Sequence, residues 1–566
     1  MPFQFLPLAA GLGRSGPEII FYGIGIVLLL AIAFLAPHRG LRCLRPIERA
    51  VAALAQRRGL AIFLAGLVAF LIAAAMTAAI GVPLPKVDDE FSYLLAADTF
   101  THGRLANPPH PMWEHFETFH VLQQPTYASK YPPGQGLLLA LGTVIAHPIA
   151  GVWLAAALAC AAITWMLMAW LPARWALVGG LLAALHPEVL MWGQRYWGGC
   201  LALAGGALAI GGFRRVMNRP CMRDALLMAA GIAVLLYTRP YEGGVLTLLV
   251  GTVLLVSAFR KKITFRDLAV RVVLPSAALL CVAAAWLGFY NSRVTGNALR
   301  MPYQVHVVQY MAAPIFIWQS APPQPAYHHA DMHDFHLGWE YRGYEKQRTP
   351  AGLATGLIER TWRLIRGEMR IWFLALSLVA LPWALRRDGW MRFALALTLV
   401  FFAALLLVNW TFFHYAAPVF GLFFFSAVQC MRHLRTWRWR GKPTGLFLAR
   451  GSVILCAVSV LATGRDVAAQ FPDGWWMERQ YIVDQLHHDG GQHLIVIRYA
   501  PNVANTPTFG YRDWTRNSAD IDAQKIVWAR DMDADHNRRL LDYFKDRRAW
   551  LLDVGISGTK LLPYPR

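Results

Sequence analysis

The chain has 566 residues, 56% of them hydrophobic and only 15% charged, with 22 Trp and 30 Phe. Together with a mean hydropathy of +0.38, that profile excludes an ordinary soluble enzyme and describes a polytopic membrane protein. The formal net charge of +21 would suit a nucleic-acid binder if it formed one patch. Instead the arginines crowd short connections between apolar runs, so the charge reports topology and excludes nucleic acid as the expected partner.

In chain order, twelve apolar stretches are expected to cross the bilayer: 18–36, 60–82, 149–171, 174–191, 199–213, 225–238, 243–259, 269–290, 370–385, 393–410, 416–431 and 444–463. A span needs about 20 mainly apolar residues, fewer where neighbouring protein shields its ends. Threading them in order puts every basic cluster on one side: Arg39–Arg58, Arg214–Arg223, Arg260–Arg266, Arg386–Arg392 and Arg432–Lys442. That side is the expected cytoplasmic face. The opposite face receives two large loops, 83–148 and 291–369, the turns near 192–198 and 239–242, and the C-terminus. The N-terminus lacks a basic stretch followed by a compact apolar core, so no cleavable signal peptide is expected. The seven cysteines avoid the large outer loops and form no CxxC pair, which argues against a disulfide framework.

The first outer loop opens on "KVDDEFSYLLAADTFTHG", where Asp88, Asp89 and Glu90 are consecutive. The spacing of Phe91, Leu94 and Leu95 predicts an amphipathic helix ending near Gly103. One acid can cap that helix and another can complement its dipole. Three at the mouth of a helix bundle exceed that need, and a carboxylate there can deprotonate an acceptor hydroxyl. "YPPGQGLLLALG" then predicts an apolar helix too short to cross. The second outer loop, rich in Pro, Tyr, His and Trp, is expected to be partly ordered against the headgroup layer. After residue 463 the hydropathy collapses. The segments "WMERQYIVDQLHH" (helix), "QHLIVIRY" and "AQKIVWAR" (strands), "NRRLLDYFKD" (helix) and "RAWLLDV" (strand) predict a small α/β unit over 464–566.

On the acid-bearing face the few basic residues stand out, because the positive-inside rule depletes that face of arginine. Lys130, Arg195 and Arg239 can each stabilise a phosphate, the arginines through bidentate bonds and the lysine as a point charge; snorkelling to the interface is their alternative role. Tyr131, Tyr196, Glu242, His414 and Tyr415 flank them, either as site residues or as belt aromatics and structural partners. "YHHADMHDFH" holds His328, His329, Asp331, His333, Asp334 and His336, which could ligate a metal but match no standard spacing. The C-terminal unit has no Gly-rich phosphate loop or nucleophile elbow.

"DDEFSYLLAADTFTHGRLANP" resembles the first outer-loop motif of the GT-C glycosyltransferases, a group that includes protein O-mannosyltransferases and lipid A aminoarabinose transferases. "KYPPGQGLLLALG" is similar to the group's segment returning to the membrane. The resemblance covers roughly residues 60–300 and implies a GT-C-like fold of about 12 spans. It further implies an extracytoplasmic active site, a polyprenyl-phosphate sugar donor, and a multi-pass location in a bacterial inner membrane. It places Asp89 at the catalytic base and leaves Asp88 as an alternative, because related arabinofuranosyltransferases carry a double Asp. Glu90 falls in the matched acidic pair. The acceptor is a glycan, lipid or protein hydroxyl, and a divalent cation is used by some members and not by others. The insertion "MWEHFETFHVLQQPTYAS" matches no general pattern. A transporter or flippase of lipid-linked glycans is the alternative, but it would favour broken helices with midplane charge and inverted repeats. An envelope scaffold acting through its C-terminal unit is a third.

Overall fold

The computed structural model describes residues 16–37, 44–370, 372–469, 474–500, 513–555 and 558–565. Arg39, Arg42 and Cys43 of the first basic connection lie outside the described residues; the other six cysteines are free thiols.

The first half of the chain is a helix bundle: α1 Gly16–Leu35, α2 Arg45–Gln56, α3 Arg58–Ile80, α4 Asp88–Thr101, α5 Pro133–Ile145, α6 Pro148–Trp170, α7 Ala173–Ala184, α8 Pro187–Trp192, α9 Gly199–Asn218, α10 Met222–Leu236 and α11 Pro240–Phe259. Among the described residues, seven helices are individually long and apolar enough to cross a membrane: α3, α6, α9, α11, Phe265–Thr295, Phe413–Leu434 and Thr444–Arg465. An eighth would be counted if Trp372–Arg387 and Gly389–Leu405, which meet at 114°, were one broken span. The expected count of twelve is therefore not reproduced. The helices over 174–191 and 225–238 are shorter than a full crossing, and the first of these is broken at His186-Pro187, where proline removes a backbone donor.

Burial sorts the long helices by position. The apolar window of Phe413–Leu434 is 83% buried among its neighbours, whereas that of Phe265–Thr295 is only 22% buried. Outward-facing Leu248, Phe259, Val282 and Leu461 leave apolar surface on the peripheral helices that only lipid would cover.

The acid-bearing end is capped by three pieces that pack on one another. In the first loop, α4 is followed by a hairpin of β1 Val121–Leu122 and β2 Ala128–Ser129, with Val121 opposite Ser129. The chain leaves α4 through Gly103, whose φ of +69° suits glycine. The second loop contributes helices Pro302–Tyr310 and Pro350–Glu368. The C-terminal unit is a four-stranded sheet in the order β4-β3-β5-β6, from β3 His493–Tyr499, β4 Ile526–Arg530, β5 Arg548–Gly555 and β6 Gly558–Pro563. The first three strands are parallel and β6 is antiparallel.

Strand β3 shows why this unit is not closed by itself. Ile495 and Ile497 pack under helix Trp475–Asp489, while Leu494 and Val496 face the other way onto Leu540 and Phe544. The same second core takes in Leu95, Phe116, Val121 and Tyr127 from the first loop. Buried Arg530 ties the three pieces further: it ion-pairs with Asp331 and donates to the Glu117 carbonyl at 2.5 Å. The C-terminal unit is thus built onto α4, on the side of the acids.

Candidate functional site

The three acids of α4 have three different environments. Glu90 is 1% exposed and spends both oxygens on backbone N–H groups: Lys86 at 2.8 Å, Val87 at 3.4 Å and Tyr196 at 3.1 Å. It closes the N-terminus of α4 and holds it to the turn before α9, a structural role that engages both of its oxygens. Asp88 is also buried, and its Oδ1 accepts from Arg516 of the C-terminal unit at 3.1 Å. Burial pushes the Asp88 carboxyl up to about 8, against the pull of Arg516.

Asp89 is different. Its side chain keeps 28% exposure, His120 Nδ1 lies 2.7 Å from Oδ1, and the Tyr131 hydroxyl donates to the same oxygen. Tyr131 and His120 are themselves 3.2 Å apart. Burial pulls the Asp89 carboxyl upward, but hydrogen-bonded His120 beside it, then Lys130 and Tyr131, outweigh it and hold Asp89 well below the usual carboxylate range; burial and then Lys130 in turn hold His120 below its ordinary value. His120 is set for this contact by an uncommon backbone: its φ is +62°, and its carbonyl accepts from Ser92 Oγ at 2.6 Å and Lys130 N at 3.2 Å. A non-glycine residue held there by several bonds is strain that the surrounding structure over-determines. No hydrogen-bond partner is recorded for Nε2 among the described residues, and it is not among the buried unpartnered atoms, so this nitrogen remains open.

Cationic groups gather on the same side. Lys130 is 4% exposed, its Nζ lying 5.2 Å from both the Tyr131 and Tyr303 rings. Burial lowers its pKa to about 8, with Asp89 opposing. Arg239, the residue just before α11, has its guanidinium 4.6 Å from the Tyr415 ring centroid. Burial works against its charge, but Tyr93, buried Glu242, Tyr415 and Tyr131 together hold Arg239 above its usual value. Tyr93 stacks on Tyr131 at 4.5 Å and interacts electrostatically with both Arg239 and Asp89, which links the two halves of the site. Gly134 permits the approach: its N–H donates to the Tyr237 carbonyl at 2.8 Å, and a Cβ there would sit 2.7 Å from that oxygen. Any side chain at 134 would push the Lys130–Tyr131 segment off the chain that leads to Arg239.

Of the residues expected from sequence, Asp89, Lys130, Tyr131, Arg239, Glu242, His414 and Tyr415 come together. His414 stacks on Trp197 at 5.1 Å and interacts electrostatically with Arg239 and Asp89. Arg195 also lies over Trp197, 5.4 Å from that ring, and lines a small recess with Lys86 and Gln194. Tyr196 is a structural partner, bonding the Pro83 carbonyl at 2.9 Å. The residues that sequence reasoning passed over are His120, Tyr93, Tyr303 and Arg516. His120 sits in the unmatched insertion, and Arg516 in a charge-dense stretch with no recognised pattern.

The histidine-rich segment disperses. His328 Nδ1 meets Glu117 at 2.8 Å, His329 Nε2 meets the Glu114 carbonyl at 2.7 Å, and His336 Nδ1 meets Glu340 at 2.6 Å. Among the described residues, no group of three or more His, Cys, Asp or Glu is arranged to hold a metal ion.

No protein-family model matches the chain, and no curated protein matches it in sequence. Among solved structures it is similar to ArnT from Cupriavidus metallidurans in the apo state, at 13% identity and a TM-score of 0.49, over 88% of this chain and 93% of that one. The same protein bound to undecaprenyl phosphate gives 12% identity and a TM-score of 0.49, again over 88% and 93%. The Archaeoglobus fulgidus oligosaccharyltransferase in complex with Zn and sulfate is similar at 12% identity and a TM-score of 0.45, over 76% of this chain. The chain spans 60% of the length of that oligosaccharyltransferase chain.

Proposed function

We propose that the chain is an integral-membrane glycosyltransferase of the GT-C type. In this reading it moves a sugar from a polyprenyl-phosphate carrier to an acceptor hydroxyl on the extracytoplasmic face of a bacterial inner membrane. The observation that carries the reading is the convergence of a partly open Asp89–His120 pair with Lys130 and Arg239 at the acid-bearing end of a helix bundle. A base beside paired cations is what a displacement with a phosphate leaving group requires. The bundle explains why the donor is a lipid, since its prenyl chain would lie between helices.

The chemistry follows from the charges. The acceptor oxygen attacks the anomeric carbon, the bond from that carbon to the phosphate oxygen breaks, and polyprenyl phosphate departs with the bonding pair. Lys130 and Arg239 receive the negative charge that builds on the phosphate. The acceptor proton goes to the Asp89–His120 pair. Asp89 accepts from Nδ1–H and fixes the tautomer, which leaves Nε2 able to take the proton. Donor binding also prepares the base: a phosphate beside Lys130 offsets one of the cations that hold Asp89 low, so the proton affinity of the pair rises when the donor is in place.

The test is lipid and glycan analysis of cells that carry the gene, with and without it. Loss of the protein should cause one polyprenyl-phosphate sugar to accumulate and one surface glycan to lose a sugar. An Asp89→Asn copy should reproduce that pattern at normal protein levels. Full restoration of the glycan by Asp89→Asn would end the reading.

A further inference from the structure

The left-handed backbone of His120, with its φ of +62°, has to be held from both sides. On the far side its carbonyl accepts from Ser92 and Lys130, and the two-residue strands of the hairpin begin. A pairing that short does not fix a strained residue by itself. On the near side the helical turn Trp113–Phe116 stops short, and residues 117–119 lead into His120 outside any helix or strand. These three residues lean on the C-terminal unit. Arg530 Nε donates to the Glu117 carbonyl at 2.5 Å, the Thr118 hydroxyl bonds Asp513 Oδ2, and Phe119 N–H donates to the same oxygen at 3.4 Å. The second loop meets the Glu117 side chain instead, through Tyr310 at 3.1 Å and His328 at 2.8 Å.

Asp513 is itself fixed on its own side. It is 1% exposed, its Oδ1 accepts from Thr515 N–H at 3.1 Å, and Arg530 Nη2 lies 3.6 Å from that oxygen. The arginine that holds the Glu117 carbonyl thus also orients the carboxyl that holds Thr118 and Phe119. The same stretch reaches the other member of the reacting pair, since Arg516 bonds Asp88, the neighbour of Asp89. Asp89 and His120, which meet at 2.7 Å, are therefore both entered from residues tied to Asp513, Arg516 and Arg530. Such geometry matters, because a misplacement of about 1 Å can cost about 100-fold in rate.

We infer that Asp513 is a positioning residue: with Arg530 it holds 117–119 so that His120 keeps its left-handed backbone and its Nδ1 meets Asp89. The inference rests on the glycosyltransferase reading for what the pair does, and it gives the C-terminal unit a part in transfer without contact to substrate. Released from this anchor, residue 120 can return to the ordinary backbone region, which carries its ring away from Asp89. Arg239 lies on another element, beside Tyr415, and keeps its place.

Four variants of the full-length protein test this in cells lacking the native copy: Asp513→Ala, Thr118→Val, Thr118→Ser, and Asp513→Ala combined with His120→Gln. The glycan that the native copy alters is quantified by mass spectrometry per folded protein, and undecaprenyl phosphate binding is measured on each purified protein. Asp513→Ala should lower the product by about tenfold or more. Thr118→Val, which keeps the shape and loses the hydroxyl, should lower it several-fold, and Thr118→Ser should restore it to near the native level. Undecaprenyl phosphate affinity should stay close to native throughout. In the His120→Gln background Asp513→Ala should cost almost nothing more, because both changes act through one ring. Native product in Thr118→Val would overturn the inference even if Asp513→Ala failed to fold. A full further loss in the double variant, or joint loss of product and undecaprenyl phosphate binding, would also overturn it by showing a general structural role. Normal product in Asp89→Asn would instead end the glycosyltransferase reading. The anchor would then be judged by histidine ¹⁵N NMR, with the His120 signals assigned by their loss in His120→Gln: signals that move in Thr118→Val and return in Thr118→Ser support it, and signals unchanged in Thr118→Val overturn it.

Discussion

Asp88 and Asp89 are neighbours in sequence but point about 100° apart around α4, and the two faces they open treat the same carboxyl group differently. Asp88 faces the C-terminal unit, is buried against Arg516, and is pushed up to about 8 by that burial. Asp89 faces the hairpin and the start of α5, stays partly open, and is held low by His120, Lys130 and Tyr131 against the pull of burial. One face joins two parts of the fold; the other keeps an oriented, ionised carboxylate in reach of a substrate. Adjacency in sequence therefore says little about which acid reacts, whereas the partner on each face says a great deal.

The largest effect expected from breaking this asymmetry is on the open face. Asp89→Asn removes the charge that orients His120 and should lower transfer by about 10²–10⁴-fold, while undecaprenyl phosphate binding stays close to native. His120→Gln should lower transfer by a similar factor. If it left transfer intact, the proton would have to go to Asp89 directly.

On the buried face the same Asp-to-Asn change should act on stability. Asp88→Asn alters the carboxyl that accepts from buried Arg516, and because burial keeps that carboxyl largely protonated near neutral pH, the loss should be that of one buried hydrogen bond, about 1–3 kcal/mol. A lowered melting temperature in detergent should report this, and Asp88→Asn with Arg516→Met should recover much of the loss. Transfer per folded molecule should fall far less than with Asp89→Asn. A native melting temperature combined with abolished transfer would exchange the roles of the two acids. On the Asp89 side, if the proposed donor phosphate binds at the cations, Arg239→Ala should weaken undecaprenyl phosphate binding by about 10–100-fold, the worth of one charge-assisted contact of roughly 1.5–3 kcal/mol. Unchanged affinity would remove Arg239 from the site.

Much of the fold around this contrast is legible in the sequence, but the contrast itself is not. Helix α4 and its stop near Gly103, the short apolar α5, and three strands and two helices of the C-terminal unit follow from local periodicity and turn residues. The span count did not follow, because hydropathy marks an apolar run without fixing its length; Pro187 and the 114° bend near Asp388 shorten the helices there. Lys130 and Arg239 could be singled out as basic residues set next to apolar runs at the acid-bearing end. His120 could not: its importance lies in a left-handed backbone and a contact 31 residues back in the chain, neither of which leaves a pattern in composition or spacing. Arg516 is more than 400 residues from Asp88, and strand β6, GTKLLP, lacks the apolar alternation that would signal it.

The smallest effect expected is also the most discriminating about Lys130. Burial brings its pKa down to about 8, so it is charged at neutral pH and loses its proton as pH rises through that value. If its charge helps hold the donor phosphate, undecaprenyl phosphate affinity should be flat between pH 6.5 and 7.5 and then fall, by about tenfold between pH 7 and 9 for a group that binds only when protonated. Lys130→Arg keeps the cation throughout this range, since a guanidinium stays protonated. It should therefore bind with near-native affinity at pH 7 and show no alkaline fall. Asp89 adds nothing to this limb, because a carboxylate held below its usual range is fully ionised across it. Titrating both proteins from pH 6.5 to 9.5 separates the two faces once more: a limb shared by native and Lys130→Arg would assign it to another group and leave Arg239 as the phosphate's partner.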